Sequence, residues 1–161
     1  MTVQAGGAVL VLAAAVLGLW RYGVQRRQRR TLLWALAAAV GEMESAIRWQ
    51  QMPMMALLEG LAERETVGTY FRDTADMVQG GIPLQCAWEQ VFSGITDGET
   101  GEILLRLTLS GDRERLVGAL GRTREELEEL YRRRCREDGQ KNRVATAAAL
   151  CGAGLVIILL I

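Results

Sequence analysis

The sequence predicts an all-α protein: a compact bundle of about six helices set between an N-terminal and a C-terminal transmembrane helix. Three observations carry this. Apolar residues recur at steps of three and four through the middle of the chain, no stretch keeps the period-two alternation of a half-buried strand, and both ends are long uncharged runs.

Val3 to Trp20 is an eighteen-residue run of small and aliphatic residues without a charge, close to the ~20 residues a helix needs to cross the hydrocarbon core. A cleaved signal peptide would carry basic residues before its apolar stretch and a small-residue cleavage site after it. Here the order is reversed, with Arg21, Arg26, Arg27, Arg29 and Arg30 following the run and Trp20 and Tyr22 at interfacial depth. The second run, Val144 to Ile161, is also uncharged; Arg132, Arg133, Arg134, Arg136, Lys141 and Arg143 precede it. Its aliphatic end would invite aggregation on a purely soluble protein, although a buried C-terminal core helix is the competing reading. Both basic clusters lie on the inner side of their runs, so the positive-inside rule predicts residues 1–22 and 144–161 as spans, residues 23–143 as a cytoplasmic domain, and both termini outside. Trp20, Arg21, Tyr22, Arg26, Arg27 and Arg143 are the expected membrane-flanking residues.

Within the domain, Leu33, Leu36, Val40, Met43 and Ile47 predict a first amphipathic helix closed at Gln50 and Gln51. Pro53 marks the start of a second, with Leu57, Leu58 and Leu61 on its apolar face. Tyr70, Phe71, Thr74, Met77 and Val78 predict a third, stopped by Gly80 and Gly81; Pro83 opens a fourth with Leu84, Ala87, Trp88 and Val91. Gly94 to Gly98 reads as a turn, Ile103, Leu104 and Leu107 as a short fifth helix, and Asp112 as the N-cap of a long last helix with Leu116, Leu120, Leu127 and Leu130 on its stripe. That helix is expected to run through Arg134 into the second span. Trp34, Trp49, Tyr70, Phe71, Trp88 and Phe92 are assigned to core packing, and Met52, Met54 and Met55 to filling between two helices. Glu128 and Glu129 stand four residues before Arg132 and Arg133, the spacing of a solvated, self-paired helix face.

Composition narrows the chemistry. Nineteen basic and nineteen acidic residues cancel, which gives no reason to expect nucleic acid. There is no histidine, so the commonest general base and metal ligand is missing. The three cysteines, Cys86, Cys135 and Cys151, form no CxxC pair, and their odd count argues against a disulfide framework. None of the eighteen glycines belongs to a GxxxxGK[ST] phosphate loop. No catalytic, cofactor-binding or metal site is expected.

The order of parts resembles a known family over essentially the whole chain: a terminal span and basic run, Leu36 to Ile47 followed by Met52-Pro53-Met54, Ala87-Trp88-Glu89-Gln90, Leu109-Ser110-Gly111-Asp112-Arg113, and an aliphatic end. It resembles the stage III sporulation protein AB family of endospore-forming bacteria. The family carries glutamine four residues after the aspartate where this chain has Leu116, which removes any polar contact made there. The resemblance implies a domain similar to the cytoplasmic domain of the type II secretion inner-membrane platform protein, placed in the mother-cell membrane around the forespore. It implies a non-catalytic scaffold of the mother cell–forespore channel. The implied partners are a cytoplasmic secretion-type ATPase, stage III sporulation protein AA, and other channel components; membrane lipid is a further partner and a homo-oligomer is compatible. On this reading Ser110, Asp112 and Arg113, with Glu44 and Arg48 on the polar face of the first helix, are the expected partner contacts. A membrane-anchored regulator or chaperone that binds through the Met-Pro-Met cluster is the alternative.

Overall fold

A computed structural model describes Val24 and residues 27–160, with side chains through Asp138. Among these residues there are six helices and no strand. Helix α1 covers residues 27–45 and continues as a π-helical turn over Ala46–Gln50. It is followed by α2 (Met54–Ala62), α3 (Gly68–Gln79), α4 (Leu84–Phe92), α5 (Gly98–Leu105) and α6 (Arg113–Leu160).

Each boundary has a local cause. The π turn ends where Gln51 takes a left-handed conformation, φ 52°, and its N–H folds back to the Ala46 carbonyl. Pro53 and Pro83 sit at the N-cap positions of α2 and α4, with extended ψ of 145° and 139°. A proline there loses no helical N–H, and its carbonyl still accepts the first helical bond, from Leu57 at 3.2 Å and Ala87 at 3.0 Å respectively. Gly81 and Gly111 have φ of +91° and +123°, a region open in practice only to glycine; they end α3 and turn the chain into α6. The Asp112 carbonyl accepts the first bond of α6 from the Leu116 N–H at 3.0 Å.

The core follows the apolar stripes. Leu33, Leu36, Val40, Met43 and Ile47 of α1 are buried against Leu57, Leu58 and Leu61 of α2 and Leu120, Leu127 and Leu130 of α6. An aromatic cluster fills the centre: Trp88 stacks on Phe92 with ring centroids 3.9 Å apart, and Phe71 meets both edge-on. Trp88 also donates its indole N–H to the Leu104 carbonyl at 2.9 Å, tying α4 to α5. Leu116, the departure from the family pattern, is partly buried and packs against this core.

Two tryptophans assigned to the core are outside it. Trp34 is 53% exposed and Trp49 76% exposed, because each falls one or two residues off the α1 stripe and so points away from it. Trp34 lies against Tyr131 at 5.2 Å between ring centroids. Met54 and Met55 pack on the core as expected, leaving Met52 as the exposed methionine of the three.

α1 and α6 run antiparallel, as their contacts along the seam show. Arg30 pairs with Asp138 at 3.6 Å, Trp34 meets Tyr131, Glu44 meets Arg124 at 3.1 Å, and Arg113 reaches the carbonyls of Ile47 and Arg48. The chain therefore enters α1 and leaves the packed part of α6 at one end of the bundle. α6 continues past Arg134 and is helical to Leu160. No helix among the described residues is long and apolar enough to cross a membrane; the expected span 1–22 and the side chains of 144–161 lie outside them.

Candidate functional site

The expected contact residues gather at the end of the bundle away from Arg30 and Asp138, but most are engaged inside the domain. Glu44 is 6% exposed, which corrects its placement on the polar face of α1. It lies on the apolar seam, four residues after Val40 and three before Ile47. Two guanidinium groups neutralise it there: Arg48 Nη2 at 2.8 Å from Oε1 and Arg124 Nη1 at 3.1 Å from Oε2. Among the described residues neither Glu44 Oε2 nor Arg124 Nε makes an aligned hydrogen bond, so the Arg124 contact is mainly coulombic. Gly41 gives Arg124 its path, since a Cβ at that position would stand 2.9 Å from Arg124 Cδ.

Arg113 closes the π turn, donating from Nε to the Ile47 carbonyl at 2.9 Å and from Nη2 to the Arg48 carbonyl at 2.5 Å. These are carbonyls that a helix end leaves unsatisfied, and a cation suits the negative end of the helix dipole. The exposed Asp112 carboxylate lies 3.5 Å from Arg115 Nε. Arg27, exposed, accepts at its carbonyl from the Thr31 hydroxyl at 3.0 Å; Trp20, Arg21, Tyr22, Arg26 and the side chain of Arg143 fall outside the described residues.

At the other end of the bundle, Asp97 at the N-cap of α5 is gripped by both terminal nitrogens of Arg134, at 2.6 and 2.9 Å, while Thr100 donates to the same carboxylate. Burial pushes the Asp97 carboxyl up, but the hydrogen bonds from Arg134 and Thr100 and the nearby positive charge outweigh it and leave it below the ordinary aspartate value. The hydrogen bond from Arg133 does the same for Glu99. Arg133 and Arg134 are thus bonded to α5, a correction to the self-paired face; the pair that forms as expected is Glu128 with Arg132, at 3.2 Å.

Sequence reasoning missed a groove of about 620 Å³ between α5 and the first turns of α6. Ile103, Leu107 and Ala119 supply apolar wall, and Gly118 opens the middle because, apart from its chain neighbours and the backbone of its own helix turns, no atom among the described residues lies within 4 Å of where its Cβ would stand. Three arginines, Arg106, Arg115 and Arg122, and one acid, Glu126, line it, with Ser110 at one end. Arg106 and Glu126 pair at 3.1 Å. The wall between α5 and α6 is held by Gln85 of α4, which accepts from the Leu109 N–H at 2.8 Å and donates to the Leu107 carbonyl at 3.2 Å. The signal in the sequence was Arg115, Gly118 and Arg122, which share one helical face.

Among the described residues no group of three or more cysteine, aspartate or glutamate side chains is arranged to hold a metal ion, and Cys86 and Cys135 are free thiols. The geometry is that of an all-α domain whose distal end carries a charged seam beside a basic groove. The chain belongs to the stage III sporulation protein AB family, which it matches over residues 4–161. No curated protein and no solved structure matches it.

Proposed function

We propose that this chain is a non-catalytic membrane platform subunit of the channel between mother cell and forespore, anchored by its two apolar ends and docking a cytoplasmic secretion-type ATPase through the distal end of its helical domain. The observation that carries the reading is the antiparallel seam: with Arg30 and Asp138 3.6 Å apart, the segments leading to both apolar ends leave from the same side, as a domain hung from two spans requires. The opposite end then faces the cytoplasm with Trp49, Arg48, Arg113 and the groove. Membership of the sporulation family sets the cellular process; the ATPase and the channel are the finer part of the proposal.

The test is reporter fusions at each terminus, active on one side of the membrane only, with copurification of the full chain and the ATPase in mild detergent. Both termini outside and a recovered complex are the expected results. A cytoplasmic terminus, or a full chain that stays dissolved without detergent, overturns the anchoring; failure to recover the ATPase overturns the docking. The chaperone alternative loses support, because Met54 and Met55 pack against the core and leave Met52 alone at the surface.

A further inference from the structure

We infer that the groove between α5 and α6 is the seat of an acidic amphipathic helix of the docking partner, with one apolar side chain over Gly118 and two carboxylates on Arg115 and Arg122. The inference rests on the platform reading and deepens it by giving the partner's chemistry.

Charge and shape both select this occupant. Three arginines against one glutamate leave the groove basic in a chain whose formal net charge is +0. Arg106 is already paired with Glu126, and among the described side chains Arg115 has its one acidic partner in the exposed Asp112, at 3.5 Å. Arg122 makes no ion pair among the described side chains. Arg115 and Arg122 stand seven residues apart on one face of α6, or ~10.5 Å along the axis. That is the separation of two acids at i and i+7 on an incoming helix, and guanidinium groups suit carboxylates. Between them Gly118 leaves the helix backbone bare, and Ile103, Leu107 and Ala119 surround the gap with apolar surface. A helix laid in such a groove buries its apolar stripe while its acids meet the rim. The wall is already shaped, since Gln85 holds the Leu107–Leu109 segment through two hydrogen bonds, which lowers the ordering cost of binding.

The test uses the full chain in nanodiscs and a fluorescent synthetic helix with glutamates at i and i+7 flanking leucine, beside its glutamine analogue. Wild type is expected to bind the glutamate peptide at least tenfold more tightly than the glutamine one, with affinity falling as salt rises. Gly118→Trp fills the open space and Arg122→Glu reverses the rim; each is expected to lose at least tenfold while keeping the wild-type melting temperature within about 4 °C. Gly118→Ala, which leaves the gap largely open, is expected to bind as wild type. Equal binding of the two peptides, no binding of either, or unchanged binding by Gly118→Trp and Arg122→Glu overturns the inference. Those outcomes leave the platform reading standing where the ATPase is still recovered; loss of ATPase recovery from wild type removes both.

Discussion

Arg134 holds Asp97 through two parallel hydrogen bonds across thirty-seven positions of sequence, and this pair joins the start of α5 to the long α6. A carboxylate whose folded pKa lies below its unfolded value stabilises the fold at pH above that unfolded value, about 3.9. The contribution is lost as pH falls through the folded pKa. Asp97→Asn is therefore expected to flatten the loss of stability below pH of about 4, measured by thermal unfolding of the full chain in detergent. Arg134→Ala at neutral pH is expected to cost about 1–3 kcal/mol, since it strips a largely buried carboxylate of its partner.

Gly41 and Arg124 are coupled by steric contact. Gly41→Ala brings a Cβ to 2.9 Å from Arg124 Cδ and displaces the cation from Glu44, so the usual gain of replacing a helical glycine is offset. In an Arg124→Ala background the obstruction is absent, and Gly41→Ala is expected to stabilise by up to about 1 kcal/mol. A double-mutant cycle by chemical denaturation reads the difference; additive effects would show that the two residues do not interfere.

Trp49 and Trp88 make opposite predictions for one substitution. Trp88→Ala removes a fully buried ring and its bond to the Leu104 carbonyl and is expected to cost about 3–5 kcal/mol. Trp49→Ala removes a side chain that is 76% exposed and is expected to stay within about 0.5 kcal/mol of wild type. Unfolding midpoints of the two variants check this.

Gly111 turns the chain into α6 at φ +123°. Gly111→Ala forces a Cβ into that region and is expected to cost about 1–3 kcal/mol, seen as a lower melting temperature with the helical circular dichroism of the folded state retained.

The helical punctuation was legible because it is local. Pro53, Gly80 with Gly81 and Pro83 each act on backbone geometry within a turn, and the α1 stripe from Leu33 to Ile47 is a periodic signal; Asp112 stands at the expected N-cap position, but its carboxylate lies beside Arg115. The same periodicity, followed strictly, places Trp34 and Trp49 off the stripe and Glu44 on it. Expecting aromatic residues inside and carboxylates outside overrode that register. The Asp97–Arg134 grip and the Gln85 clamp join residues more than twenty positions apart, so nothing in their local sequence marks them. The groove was hidden for the same reason, since one wall comes from α5 and the other from α6.

α6 runs unbroken for 48 residues, ~72 Å at 1.5 Å per residue, and about half of that length follows Asp138, which pairs with Arg30 across the seam. No proline occurs after Pro83, so the commonest cause of a sharp bend in a helix is missing. A twist applied near Arg113 would meet no proline kink before Leu160.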